Sequence, residues 1–365
     1  MSLSRRYPNR EVVVVEERTA SERSTAESAA VNTRFDWRTV FASRWFFKVA
    51  FLLLFLASVV QLLRFERWAR GEGPFVRRPE AVAGLLPIGH FTSFFAWVRG
   101  GGWDVLLPAG LVIIIGALII SFVFKRGFCA WVCPVGTIWE AFSALGRRIM
   151  GRNVRVWKWL DLFGRSIRYL LAASFMTLLL LVSIEEAVGF RQLPYMWIAD
   201  LKILHLMAEP GWLMAVGLAA VLSFVFGPVW CRYLCPLGGL YSAVGAVSPC
   251  AVERDKDTCI HCSRCTEVCH AFVEPEKLER VWAPECDGCM DCVKVCPVDG
   301  CLEAKAFSRV RIAAWAWPVL AVVLWFMVWG FSVALGQWDS KIPPEVFREV
   351  INSGLIEQRT RGFFE

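Results

Sequence analysis

Charge is missing from long parts of this sequence. Only 20% of its 365 residues are charged, and five apolar stretches go almost without. They are 46–63, interrupted only by Lys48, then 105–124, 169–184, 211–230 and 312–336. A soluble helix needs a polar face recurring every 3.6 residues, and the second, fourth and fifth stretches have none. A bilayer span needs ~20 apolar residues, so the third, at 16 uncharged residues, is short. With a mean hydropathy of +0.47, these runs predict a polytopic α-helical membrane protein of about five transmembrane helices. Histidine is also scarce, at four residues. There is no C-x2-C-H, which excludes c-type haem attachment. Gly100–Gly102 is an isolated glycine run that reads as a turn, so no phosphate loop is present, and no nucleophilic triad stands out. No cleavable signal peptide precedes the first apolar run, and 1–34 has the polar composition of a disordered tail.

What charge there is lies unevenly. Residues 1–45 carry eight Arg and 125–165 carry eight Lys or Arg, while 185–210 carries only Arg191 and Lys202. By the positive-inside rule the N-terminus and the segment after the fourth span are cytoplasmic and the C-terminus extracytoplasmic. The five basic residues of 65–103 run against this assignment. The net charge of +7 follows from basic flanks suited to anionic lipid, with no need of a nucleic acid. The 18 Trp fit an interfacial belt.

Fourteen cysteines stand out against this background, all in segments assigned to the reducing side. Cys259, Cys262, Cys265 and Cys269 follow C-x2-C-x2-C-x3-C, and Cys286, Cys289, Cys292 and Cys296 repeat it. Three closely spaced thiolates on a tight loop reach three irons of a cubane, and the fourth, expected to start a helix pointing away, ligates the other cluster. The spacing therefore predicts one [4Fe–4S] cluster on Cys259, Cys262, Cys265 and Cys296, and a second on Cys286, Cys289, Cys292 and Cys269. Zinc needs only four ligands and leaves half of these unexplained. His270 stands where Pro usually follows the fourth Cys; it and His261 are read as residues near the clusters or on the surface. Cys250 and Cys301 are read as incidental buried thiols.

Two further segments resemble each other: FCAWVCPVGTIWEAF at 128–142 and WCRYLCPLGGLYSAV at 230–244. Each follows an apolar run, and each is preceded at a distance by a Leu-Pro segment. The repetition suggests two half-domains about a pseudo-two-fold axis. If each C-x3-C lies on one helix, i and i+4 share a face, and Cys129, Cys133, Cys231 and Cys235 converge. Four such thiols could bind a metal or a third cluster, cycle as redox thiols or simply pack. His90 and His205 lie near the Leu-Pro segments, close to Asp200 and Lys202, and are candidate quinone-site residues. Residues 341–358 could form an amphipathic helix lying on the membrane or docking a partner.

Together these motifs resemble the NapH/NosR/MauN superfamily of membrane-bound ferredoxin-type electron transfer proteins over roughly 45–336, with a layout most like YccM-like proteins. The chain departs from NosR-type members, which carry a large flavin domain, and from NapH-type members, which end at the ferredoxin. It also departs from CcoG-type copper reductases, which add a β-sandwich. The resemblance implies a bacterial inner-membrane protein that moves electrons between the quinone pool and a redox protein partner, as a quinol dehydrogenase-type oxidoreductase subunit. The alternative is a metal (copper) reductase or an assembly factor for a metalloenzyme. The expected organisation is a tail (1–45), a four-helix membrane domain (46–248), an inserted bacterial-type 2[4Fe–4S] ferredoxin domain (249–308), a fifth span (309–338) and an extracytoplasmic tail (339–365).

Overall fold

The computed structural model describes residues 44–85, 87–151 and 153–356. The tail expected over 1–45 lies outside these residues save for Arg44 and Trp45, as do the last residues of the chain. The helices are α1 (Arg44–Ala69), α2 (Pro87–Val98), α3 (Pro108–Val123), α4 (Gly127–Trp131), α5 (Pro134–Met150), α6 (Lys158–Leu181) and α7 (Ile184–Gln192). They continue with α8 (Pro194–Trp197), α9 (Ala199–Ala208), α10 (Pro210–Phe226) and α11 (Pro236–Ala246). A ferredoxin-type segment follows, with β1 (Cys250–Arg254), α12 (Arg264–Glu267), α13 (Asp291–Val295), β2 (Leu302–Ala306) and β3 (Val310–Ile312). Two helices complete the described chain, α14 (Ala316–Ala334) and α15 (Pro344–Asn352). Among the described residues seven α-helices begin on proline, whose fixed φ suits the first turn and whose missing N–H has no partner there anyway.

Among the described residues three helices, α1, α6 and α14, are long and apolar enough to cross a membrane. The pair α9 and α10 qualifies only together and is bent by 77°, where Pro210 removes a backbone donor. At 16 residues, α3 is shorter than a usual span. The third apolar stretch is the tail of a longer helix, because α6 starts at Lys158 and takes in charges that a hydropathy window rejects. Asp161 is paired with Arg232 at 2.8 Å and with Arg165 at 2.9 Å, so those charges are neutralised within the protein. The outward faces of α1, α6, α10 and α14 stay apolar, with Leu54, Leu181, Leu218 and Phe331 exposed.

At the centre α3 packs against α2, α11 and α14, while α5 packs on α10 and α6 on α11. The ferredoxin segment closes one end of this bundle. Its antiparallel sheet has the order β1-β2-β3, with Cys250 opposite Ala306 and Ala304 opposite Ile312. One apolar core joins the two parts: Val252, Val281, Met290 and Leu302 of the ferredoxin segment pack with Ile120, Phe124, Trp131 and Trp317 of the helices. Gly288 is the tightest point of that seam. At φ +69°, its position would put a Cβ 3.0 Å from the Phe124 carbonyl oxygen and 3.2 Å from the Trp317 ring nitrogen, so only glycine fits without displacement.

At the other end α15 lies against α1. Phe347 meets the Phe65 ring edge-on at 5.9 Å, and Arg348 and Asn352 donate to the Ala69 carbonyl, Asn352 at 3.0 Å. The apolar stripe expected to face lipid or a partner is thus spent inside the chain, with Phe347 and Ile351 buried. The helix spans 344–352, shorter than the sequence suggested.

Candidate metal centres

The two cysteine runs fold alike. His261 and Gly288 precede the second Cys of each run at φ 52° and 69°, and Ser263 and Met290 follow it at φ 60° and 64°. Left-handed backbone costs a non-glycine residue ~1–2 kcal/mol. Alternating left-handed residues turn the amides inward, the arrangement that cradles an anionic group. Cys259, Cys262, Cys265 and Cys296 line one cavity. Cys286, Cys269 and Cys265 all lie within charge–charge range of Cys292, and Cys289 does too. Each fourth cysteine therefore reaches across to the other run. It does so from the end of a short helix: Cys296 directly follows α13 and Cys269 follows α12. The expected helix start at these positions is corrected, because the left-handed residue before each helix forces the turn to begin at the third cysteine's neighbour.

The two groups differ in setting. Burial pushes the Cys286 thiol up to about 12, with Asp287 adding to the rise and the Gly288 amide opposing it. Burial also acts on Cys259, but there the His261 amide and the Arg254 guanidinium win and the thiol is lowered. Cys301 lines the first cavity as well and is buried. Cys250 sits in the shared core.

The C-x3-C-P cysteines do converge, though by another route than a shared helical face. Cys129 lies in α4, while Cys133 is the extended N-cap residue of α5 (φ −65°, ψ 115°). Cys231 lies in a single π-helical turn, Trp230–Leu234, and Cys235 caps α11 (φ −74°, ψ 109°). The proline after each second cysteine excludes helical backbone before it, so the i, i+4 reading fails. The break serves the site instead. The Cys133 sulfur accepts the Gly136 amide at 3.4 Å, and the Cys235 sulfur accepts that of Gly238 at 3.3 Å. A Cβ at Gly136 would lie 3.1 Å from the Cys129 carbonyl oxygen, and one at Gly238 3.3 Å from that of Cys231. All four sulfurs are within mutual charge–charge range. Burial pushes the Cys133 thiol up to about 12 and raises that of Cys235, with the Gly136 and Gly238 amides opposing the rise, so it is a bound metal that would hold these sulfurs as thiolates.

A buried polar chain connects the two regions. Glu140 of α5 accepts from both Arg44 and Lys48. Arg44 pairs with Asp291 at 3.2 Å and contacts His270 Nδ1 at 3.2 Å, and His270 Nε2 meets Asp287 Oδ2 at 2.8 Å. His270 is therefore a buried link, and His261 is exposed. Beside this chain lies a cavity whose lining includes Cys129, Cys231, His270 and Asp287 together with Arg126, Arg168 and Arg232. The arginines escaped the sequence reading; the Lys-Arg pair directly after an uncharged span was the available signal.

His90 and His205 occupy different polar clusters. His90 is buried with its ring packed over Gly110, where a Cβ would fall 2.1 Å away. Burial pushes it down to about 4, against the pull of Asp104. His205 is half exposed and bonds Glu66 Oε1 at 3.0 Å. Asp200 pairs with Arg78 at 2.7 Å, and Lys202 sits over the Tyr195 ring.

Comparison with known proteins agrees with this geometry. A family model described as a 4Fe-4S binding domain matches 106–153 and 209–248, and one described as a 4Fe-4S dicluster domain matches 251–305. Escherichia coli YccM, an electron transport protein by name, is 32% identical over 332 residues, covering 87% of this chain and 91% of its own. The chain belongs to the family of ferredoxin-type electron transport proteins. Other relatives are the ferredoxin-type protein NapH of Escherichia coli, 28% identical over 53% of this chain and 68% of its own, and the methylamine utilization ferredoxin-type protein MauN of Paracoccus denitrificans, 28% identical over 46% and 56%. No solved structure matches. Membership carries iron–sulfur electron transport with it, and the two cysteine-rich regions coincide with the two family models.

Proposed function

We propose that this chain moves electrons between the quinone pool and a redox protein partner, through iron–sulfur centres placed at one end of a helical membrane domain. The observation that carries this reading is the gathering of Cys259, Cys262, Cys265 and Cys296, from both ends of the ferredoxin segment, around one cavity. Cys259, Cys262, Cys265 and Cys296 would hold one [4Fe–4S] cluster, and Cys286, Cys289, Cys292 and Cys269 the other. Cys129, Cys133, Cys231 and Cys235 would hold a third metal centre or cluster. Such centres, when bound, exchange single electrons at potentials set by charge, hydrogen bonds and exposure.

The residues around them supply those controls. Burial raises the capping thiols, and the Gly136 and Gly238 amides offset part of that rise by donating to the sulfurs. The shared core fixes the ferredoxin segment rigidly against the bundle, so the distance between centres does not depend on diffusion. His205, half exposed and held by Glu66, is the better placed of the two candidate quinone residues, since His90 is shut inside. In this proposal the sites lie at the cytoplasmic face and the C-terminus outside.

A second reading, a copper-reducing or metalloenzyme-assembly factor, draws on the same four soft thiols, which suit Cu(I). Membranes holding the protein decide between the two. Addition of a quinol analogue should develop the EPR signals of reduced clusters. Clusters that ignore quinol and are instead oxidised by copper, through the four capping cysteines, would replace the first reading with the second.

A further inference from the structure

Three guanidinium groups line the cavity between the capping thiols and the ferredoxin segment, and they are not equivalent. Arg232 is matched by Asp161, at 2.8 and 2.9 Å. Arg126 and Arg168 are buried to 8% and 0% exposure, yet the described residues offer neither a carboxylate partner. Arg126 reaches the Glu285 carbonyl at 3.4 Å and the Cys129 side chain. Arg168 reaches the Cys231 carbonyl at 3.3 Å and the Tyr169 hydroxyl at 2.9 Å. The Nε of each has no hydrogen-bond partner among the described residues. Nearby carboxylates are committed elsewhere: Glu285 to Arg165 at 3.2 Å, and Asp287 to His270. The two guanidiniums lie close enough to repel each other.

Two buried cations with no carboxylate at ion-pair distance, and only the already paired Asp287 and Glu285 within longer range, are unfavourable, so a further anion belongs beside them. Arg126 is within charge–charge range of Cys129, Cys231 and Asp287 together. Four thiolates around a divalent metal or cluster core leave a net negative charge, whereas two disulfides leave none. We propose that Arg126 and Arg168 are the built-in counter-charge of an anionic tetrathiolate centre on Cys129, Cys133, Cys231 and Cys235, and that Arg126 couples this centre electrostatically to the second ferredoxin cluster. The proposal rests on reading the capping cysteines as a metal centre. It makes Arg126 and Arg168 potential-setting residues, because an electron arriving at the centre adds a negative charge that the guanidiniums stabilise.

The test uses the full chain purified without oxygen, with iron and sulfide analysis and EPR-monitored redox titration of wild type, Arg126→Gln, Arg126→Lys and Arg168→Gln. Arg126→Gln should retain its metal and lower the midpoint of the capping centre by tenfold or more in the reduction equilibrium, about 59 mV for one electron. The second ferredoxin cluster should move the same way by less, the cluster in the cavity of Cys259 should not move, and Arg126→Lys should behave as wild type. If Arg126→Gln fails to assemble the centre and Arg126→Lys succeeds, the counter-charge role stands as an assembly requirement. If both fail, Arg168→Gln must show the same downward shift or the proposal falls. A full metal complement with wild-type midpoints in both Gln variants overturns it. A wild-type protein with no metal at the capping cysteines removes the underlying reading, and the proposal with it, on the metal analysis alone.

Discussion

The two cysteine regions solve one problem in different ways. In the ferredoxin segment the thiols sit on loops whose left-handed residues, His261, Ser263, Gly288 and Met290, bend the chain around a site. In the helical domain, Cys133 and Cys235 cap α5 and α11, and helix breaks at proline bring the other two sulfurs beside them. The first arrangement is local in sequence and stores backbone strain. The second spans more than a hundred residues and depends on the packing of whole helices. A loop site should therefore be lost by damage to its own ligands, and a capping site by damage to the helix junctions.

The largest effect expected is from ligand loss. Cys296→Ser should remove the cluster to which it belongs, about four iron atoms per chain, while the EPR signals of the remaining centres persist; iron analysis with EPR checks this. If all centres disappear together, the two regions are one assembly unit and the contrast between them fails.

Next in size is Gly288→Ala. It combines a left-handed backbone with a Cβ 3.0 Å from the Phe124 carbonyl, and should destabilise the seam by about 1–3 kcal/mol. Gly102→Ala is the control, with a positive φ but open space around it. A lower melting temperature and faster proteolysis of the ferredoxin segment in the first variant, beyond the second, is the expected result. Equal behaviour would mean that the seam does not hold the segment.

Smaller again is Gly136→Ala, whose Cβ would press on the Cys129 carbonyl at 3.1 Å. It should lower metal retention at the capping site during dialysis against a chelator, by roughly 1 kcal/mol or fivefold, and leave the ferredoxin clusters alone. The smallest effect is expected from His270→Gln, which keeps a hydrogen-bonding group between Arg44 and Asp287. A loss of about 0.5 kcal/mol in thermal or denaturant stability, the low end for one hydrogen bond, would show that the buried chain is structural. No change would make His270 dispensable to the seam.

Much of this contrast was legible in the residues. The spacing predicts Cys296 beside the first run, the pattern of two-cluster ferredoxins, and Cys296 does share a cavity with Cys259, Cys262 and Cys265. Repetition of C-x3-C-P foretold that four distant sulfurs would meet. The route was missed, because the i, i+4 rule assumes a continuous helix and Pro134 and Pro236 forbid one. The start of α6 was missed because hydropathy counts Asp161 and Arg165 as polar whether or not they are paired. His270 looked like a mere departure from the usual proline, and its contact with Arg44, 226 positions away, has no local signature. Arg126 and Arg168 were passed over for the same reason: what singles them out is a missing partner, which only the fold reveals.

The account stands or falls on whether the capping cysteines hold a centre of their own. Metal and sulfide analysis with EPR should be run on anaerobically purified wild type and on a variant with Cys129, Cys133, Cys231 and Cys235 all changed to Ser. The account predicts brown protein in both cases, with metal for three sites in wild type and an undisturbed two-cluster ferredoxin signal, about eight iron atoms, in the variant. Identical metal content and spectra in the two proteins would contradict it.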